Sequence, residues 1–217
     1  MTLETYAEVV QRSSEWYELR RGIPTASEFA SIMAKGQGKM RRLYLTRLAA
    51  ERLTGEVQER YSNHHMARGR EQEEDALAYY AWLNEVELTR VGFVRMQIAG
   101  GWVGCSPDAL VGPEGMAEVK CRIASSMVDA MITDGLPGEY RPQIQGGLWI
   151  SGRAWCDCVM YCPELPLLTI RVERDESYID ALAAEVSKFN VELESVVARF
   201  GDARAILRNQ LERSAAL

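Results

Sequence analysis

An α/β fold, with a mixed central sheet flanked by helices, follows from three features of the sequence. Helical periodicity dominates both ends of the chain, alternating β-branched and apolar residues fill the middle, and helix and strand patterns interleave after that. The 217 residues suffice for one domain with a sizeable core. That single domain is expected over 1–217, with its core at about 16–200 and a helical tail at 201–217.

Residues 3–10 read as a short helix, and 16–21 as another that ends near Gly22. Thr25-Ala26-Ser27-Glu28 reads as a helix start, because Thr25 suits an N-cap and Glu28 stands where a capping box needs it. Residues 39–53 form a long amphipathic pattern with Met40, Leu43, Tyr44 and Leu48 inward, stopped by Gly55. Residues 68–83 give a further helix. The period then falls to two over 86–98, which predicts a pair of strands. Residues 102–110 and 116–121 predict two more, joined by the turn Gly112-Pro113-Glu114-Gly115. Helices follow at 125–132 and 140–150, and strands at 154–161 and 167–172. A long closing helix at 175–200 has Ile179, Leu182, Val186, Phe189 and Val191 among its apolar positions. The weak stripe Ile206, Leu207 and Leu211 reads as a frayed terminal helix.

Composition excludes several classes. No stretch approaches the roughly 20 apolar residues of a membrane span. Glu4 and Glu8, without a basic n-region, argue against a signal peptide, so a cytoplasmic protein is expected. The net charge of −6 speaks against nonspecific coating of DNA but leaves room for a local basic channel. The five cysteines, Cys105, Cys121, Cys156, Cys158 and Cys162, do not form a disulfide framework pattern. A metal or iron–sulfur site at C-x-C-x3-C is weighed against two small buried residues on one strand face, and the alternation of 156 and 158 favours the second.

The chemistry concentrates in Ser106-Pro107-Asp108-Ala109-Leu110 and Ala117-Glu118-Val119-Lys120-Cys121, read as a β-hairpin with an acid on each arm. Glu118 and Lys120, two apart on a strand, share one face, and Asp108 can face them across the hairpin. Two carboxylates without His or Cys make a hard oxygen site suited to Mg²⁺ or Mn²⁺. Lys120 beside such an ion can orient or deprotonate an attacking water, and its charge suits a phosphate.

These residues resemble the PD-(D/E)xK nucleases, and within them the phage lambda exonuclease group, also called YqaJ-type viral recombinases. Four blocks occur in the family's order: Trp16-x-x-Leu19-Arg20-x-Gly22-Ile23-x-Thr25-Ala26-Ser27-Glu28; Gly69-Arg70-Glu71-Gln72-Glu73-Glu74-Asp75-Ala76; Cys105-Ser106-Pro107-Asp108-x-Leu110 through Glu118-Val119-Lys120-Cys121; and Gln143-Ile144-Gln145-x-x-Leu148-Trp149. The resemblance implies a restriction-endonuclease-like core. It matches Asp108, Glu118 and the backbone carbonyl of Val119 to metal ligands, and Lys120 to the catalytic lysine. Glu73 matches an upstream glutamate that arranges the metal site through water, and Gln145 the helix glutamine that touches the active site. Arg20, Ser27 and Ser106 match a pocket for a terminal 5′-phosphate, where a guanidinium gives a bidentate grip and a helix start favours an anion.

Further positions are assigned on the same footing. Arg122 stands in for a basic residue that contacts the substrate strand, whose aligned place falls near Ser126. Met66 matches an apolar wedge at the duplex end, against a core-packing alternative. His64 and His65 beside it could stack on bases or bind phosphate, but read first as surface histidines. From charge alone, outside the resemblance, Lys39, Arg41, Arg42 and Arg47 are candidates for contact with the DNA backbone, against a simply solvated helix face. The implied activity is 5′→3′ digestion of double-stranded DNA ends with two Mg²⁺ ions, Mn²⁺ being a substitute. The implied assembly is a ring-shaped homotrimer working with a single-strand annealing recombinase, in the cytoplasm of a bacterial host. The alternatives are a RecB-like or CRISPR-associated type of nuclease with endonuclease or single-strand activity, and a DNA-end-binding protein without catalysis.

Overall fold

In the computed structural model the chain runs β1 (Leu3–Tyr6), α1 (Ser14–Arg20), a 3-10 turn (Ala26–Glu28), α2 (Phe29–Met33), α3 (Lys39–Thr54), α4 (His64–Asn84), β2 (Leu88–Thr89), β3 (Phe93–Ile98), β4 (Gly101–Cys105), β5 (Ala109–Val111), β6 (Gly115–Cys121), α5 (Ala124–Thr133), a second 3-10 turn (Gly138–Tyr140), α6 (Arg141–Ser151), β7 (Trp155–Tyr161), β8 (Leu168–Glu173) and α7 (Glu176–Ala215). The structure describes residues 2–34, 38–57, 64–133 and 135–215, and among these the side chains except those of 64–71 and 202–215.

Among the described residues the strands form two sheets, β1-β3-β4 and β2-β5-β6-β7-β8. The larger is mixed: β6 and β7 run parallel, from Gly115↔Trp155 to Cys121↔Tyr161, and its other pairs are antiparallel. A parallel pair needs a crossover, and α5 and α6 supply it. The two faces of β6 are covered differently. Ala117 and Val119 pack under α4 with Ala76, Leu77 and Tyr80, whereas Met116 packs with Ile144 and Leu148 of α6. Cys156, Cys158 and Met160 of β7 join that second cluster, so the two alternate cysteines are small core residues.

The expected strands at 86–98 and 102–110 are each divided between the sheets. In the first, β2 pairs with β5 and β3 with β1 and β4. In the second, β4 ends at Cys105 and β5 begins at Ala109 in the other sheet. Pro107 stands at this break, where its missing N–H is no loss to a ladder. The linker Ser106-Pro107-Asp108 therefore crosses from one sheet to the other, and the cleft opens along it.

The N-terminal helix expected at 3–10 is a strand instead. Leu3–Tyr6 pairs antiparallel with β3, from Leu3↔Met96 to Tyr6↔Phe93. Glu4 lies 2.6 Å from the Arg95 guanidinium, which also stands over the Tyr6 ring at 5.3 Å. A local helical preference is worth tenths of a kcal/mol per residue, and cross-strand pairing overrides it.

Helix α3 stops at Gly55, in the left-handed conformation, as expected. Its inward face differs: Tyr44, Leu45, Leu48, Ala49 and Glu51 are buried, while Met40 and Leu43 are 62% and 51% exposed. The buried face is set by α7, where Tyr44 stacks on Phe189 at 5.4 Å. Glu51 is tolerated inside because its carboxylate accepts the Gly22 N–H at 2.7 Å, while Arg52 Nε donates to the Gly22 carbonyl at 2.7 Å. This clamp fixes the end of α1, which carries Arg20. Thr25 makes no side-chain cap, and Glu28 turns instead to Arg47, 3.6 Å away. In α7, Ile179, Leu182, Val186 and Phe189 are buried, but Val191 is exposed. The tail continues α7 without a break to Ala215.

Helix α6 contains Gly146 and Gly147, which cost about 1 kcal/mol each against alanine in a helix. Close approach explains them. A β-carbon at 146 would stand 2.5 Å from the Phe29 ring, and one at 147 would stand 2.7 Å from the Met116 methyl. The two glycines let α6 lie against α2 on one side and β6 on the other.

Candidate active site

Strand periodicity places Glu118 and Lys120 on the β6 face that looks toward α6, and the first turn of α6 brings Gln143 to them. Lys120 Nζ donates to Glu118 Oε1 at 2.9 Å and to Gln143 Oε1 at 2.9 Å, and the Gln143 amide donates to the same Glu118 oxygen. The Lys120 ammonium also stands 5.1 Å from the centre of the Tyr140 ring. Asp108, one residue before β5, accepts the Val119 N–H at 2.7 Å through Oδ2. The main chain between Glu118 and Lys120 thus fixes the second carboxylate.

The linker holding Asp108 is pinned from both sides. Gln11 Nε2 donates to the Pro107 carbonyl at 2.9 Å and to the Val91 carbonyl at 3.0 Å. Arg90 Nη1 donates to the Asp108 carbonyl at 2.6 Å. Burial raises the Asp108 carboxyl well above the usual carboxylate range, and the negative charges of Glu118 and Glu73 raise it further. For Lys120, burial disfavours the ammonium, but Glu118 and Asp108 outweigh it and raise the group above the ordinary lysine value. Glu73 reaches the site from α4 and pairs with Arg12 Nη2 at 2.7 Å.

Arg20, Ser27 and Ser106 line the same cleft as Asp108, Glu118 and Gln143. Arg20 Nη1 donates to Ser106 Oγ at 3.1 Å and Nη2 to Thr25 Oγ1 at 3.3 Å, and Thr25 Oγ1 lies 3.3 Å from Ser27 Oγ. The guanidinium stacks over Trp16 at 4.0 Å, and the Trp16 indole donates to Ser106 Oγ at 2.9 Å. A rigid cation ringed by three hydroxyls suits a phosphate monoester. The helix-dipole contribution expected at Ser27 is small, because Ser27 sits in a 3-10 turn ahead of a five-residue helix.

Gln145 is not the glutamine at the site. Its amide donates to the Glu173 carbonyl at 2.8 Å, and its carbonyl accepts the Asp175 N–H at 3.0 Å, on the β8 side of α6. Residues i and i+2 of a helix point about 200° apart, so only one of the pair can face β6. The sequence carries no signal for which one and none for Arg12, while Trp16 and Thr25 stand in the first family block without a role assigned at the site.

Other expected positions fall outside the cleft. Arg122 Nη1 lies 3.8 Å from Met160 Sδ, and its guanidinium is 5.7 Å from the Tyr140 ring, on the Lys120 side. Arg41 is held by Glu192 at 2.6 Å and stacks on Phe189, so it ties α3 to α7. Arg47 turns to Glu28 and the Tyr44 ring. Arg42 and Lys39 are exposed on α3. The side chains of Met66, His64 and His65 lie outside the described residues.

The donor set fits a hard cation. Asp108 Oδ2 and Glu118 Oε1 are engaged, while among the described residues no hydrogen bond reaches Oδ1 or Oε2. No group of three or more His, Cys, Asp or Glu side chains suited to an ion occurs among the described residues. Two carboxylates and water are a set that Mg²⁺ accepts and softer metals do not favour. The Cys156 and Cys158 thiols are buried in the core, and burial pushes Cys158 up to about 12.

The chain matches the YqaJ-like viral recombinase domain over residues 15–154. Among solved structures it is similar to LHK-Exo in complex with dAMP, at 36% identity and a TM-score of 0.81, covering 90% of this chain and 100% of that one. A second structure of LHK-Exo, an alkaline exonuclease from Laribacter hongkongensis, gives 35% identity, a TM-score of 0.81 and the same coverage. A phage-related exonuclease from Haemophilus somnus 129PT shares the fold at 16% identity and a TM-score of 0.58, over 82% of this chain and 98% of that one. No curated protein matches the sequence.

Proposed function

The chain belongs to the YqaJ-like viral recombinase family and is a nuclease of the lambda exonuclease type, and from that premise we propose that it digests double-stranded DNA 5′→3′ from phosphorylated ends, releasing mononucleotides and leaving a 3′ single strand. One observation carries the reading: the Arg20–Ser27–Ser106 pocket and the carboxylates of Asp108 and Glu118 line a single cleft, with Lys120 hydrogen-bonded to Glu118. A strand end held by its phosphate in the pocket would present its next phosphodiester to the carboxylates, as removal of one nucleotide at a time requires.

Asp108 and Glu118, with the Val119 carbonyl, would hold two Mg²⁺ ions, or Mn²⁺ in their place. When bound, such ions polarise the scissile phosphate and stabilise charge on the leaving oxygen. Gln143 keeps Glu118 and Lys120 in register. Lys120, whose ammonium form is favoured by the Glu118 and Asp108 carboxylates, orients the attacking water and offsets charge on the phosphate. Attack on phosphorus in line with the 3′ oxygen breaks the P–O3′ bond. The terminal nucleotide leaves with its own 5′-phosphate, and the new strand end carries a phosphate that fits the Arg20 pocket again. The LHK-Exo complex holds dAMP, a nucleotide of the product class. A homotrimeric ring around the duplex and a single-strand annealing recombinase that takes the exposed strand complete the reading.

The test is nucleotide release from matched duplexes with 5′-phosphate or 5′-hydroxyl ends, with Mg²⁺ and with chelator. Phosphorylated ends should be digested faster and only with the metal. Equal rates on both ends would remove the pocket, and internal cutting of circular duplex would favour an endonuclease.

A further inference from the structure

We propose that Arg12 is a further DNA-binding residue, gripping a backbone phosphate of the digested strand on the Glu73 side of the cleft; this rests on the exonuclease reading above. The cleft brings together the carboxylates of Asp108 and Glu118, and Glu73 acts on Asp108 from α4. The cations in and beside the cleft are otherwise engaged: Arg20 with Ser106 and Thr25, and Lys120, behind Glu118, with Glu118 and Gln143. Arg12 also lines the cleft, beside Gln11 and Asp108. Among the described residues its one hydrogen bond is Nη2 to Glu73 Oε2 at 2.7 Å, and 42% of its side chain is exposed. A guanidinium has five N–H donors, so the Glu73 contact leaves a fork open toward the cleft.

The backbone singles out the same residue. Arg12 has φ 71°, in the left-handed region that is unfavourable for a residue with a β-carbon. Glycine would adopt that conformation without strain. The segment is held there by the Gln11 amide on the Val91 and Pro107 carbonyls and by the Ser13 N–H on the Val10 carbonyl. A long cation is thus presented at the cleft wall from a backbone conformation that favours no side chain. Paired with Glu73, it balances the acidic cluster while no strand is bound. A strand entering between Arg20 and Asp108 offers it phosphate oxygens, and a phosphate binds a guanidinium through two parallel hydrogen bonds.

Arg12→Gly and Arg12→Lys are the tests, because glycine removes the side chain while relieving the left-handed strain. The readout is steady-state digestion of a 5′-phosphorylated duplex at several salt concentrations, beside thermal melting of each variant. In Arg12→Gly, kcat/KM should fall about tenfold, mostly through KM, and the salt slope of log KM should drop by about one. The melting temperature should hold, and the preference for phosphorylated over hydroxyl ends should persist. Arg12→Lys should keep the slope. A glycine variant with the wild-type KM and slope, while the wild type digests DNA, overturns the Arg12 assignment alone. If Arg12 served only to hold Glu73, kcat would fall with an unchanged salt slope, which also overturns it. A wild-type protein that digests no duplex in Mg²⁺ overturns the functional reading and this assignment with it.

Discussion

Lys120 Nζ stands 2.9 Å from Glu118 Oε1, and both groups are held by one Gln143 amide that arrives from a helix more than twenty residues later in the chain. The strand pairs the acid with the amine, and the helix fixes the angle at which they meet the cleft.

The first prediction concerns that centre. Asp108→Asn and Lys120→Ala should each lower nucleotide release by at least about 100-fold. Duplex binding, measured by fluorescence anisotropy, should survive both changes. Full activity in Asp108→Asn would remove the metal assignment.

The two glutamines of α6 should behave differently. Gln143→Ala should lower kcat by about tenfold or more with little change in melting temperature, since it loosens Lys120 and Glu118. Gln145→Ala should leave turnover per folded molecule near wild type but cost about 1–3 kcal/mol of stability, because the Asp175 N–H and the Glu173 carbonyl lose a buried partner. The reverse pattern would return Gln145 to the site.

Arg20→Ala should erase the distinction between 5′-phosphate and 5′-hydroxyl ends. Arg20→Lys should restore it only in part, since a lysine supplies charge without the stacked fork over Trp16. The check is the ratio of the two initial rates, and a wild-type ratio in Arg20→Ala would place the phosphate elsewhere.

Asp175 makes a pH-dependent contribution at the start of α7. Its carboxylate accepts the Tyr178 N–H at 3.0 Å, the Ser177 hydroxyl at 2.7 Å and Arg141 at 2.7 Å. Led by the Tyr178 N–H, these bonds hold its folded pKa below the ordinary aspartate value. The stabilisation is therefore complete above the unfolded pKa and fades as pH falls through the lowered one. Asp175→Ala should lower the urea midpoint at pH 7, and the difference should shrink as pH falls through the lowered pKa. A gap that widens in acid would contradict this sign.

A buried polar link ties α4 to the sheet behind the site. Tyr80 donates to Asp157 at 2.6 Å, and Arg171 grips the same carboxylate at 2.8 and 2.9 Å. Tyr80→Phe should destabilise by about 1–2 kcal/mol, as an aspartate oxygen loses its hydroxyl donor but keeps the guanidinium. No shift in the melting curve would show that the link carries no stability.

The sequence alone determined the chemistry of the β6 face. A strand turns every second side chain to one side, so Glu118 and Lys120 had to meet wherever that strand packed, and ordered blocks carried Arg20, Ser27, Ser106 and Asp108 through the resemblance. Only the tertiary structure decided that residues 102–110 break between two sheets, that β1 is a strand, that Met40 and Leu43 face outward, and that Gln143 rather than Gln145 faces the lysine. Each of these depends on a neighbour distant in the chain: a pairing partner in β3, a stacked Phe189, or the direction from which α6 crosses β6. Local periodicity says which residues share a face, but which face is buried is settled by what packs against it.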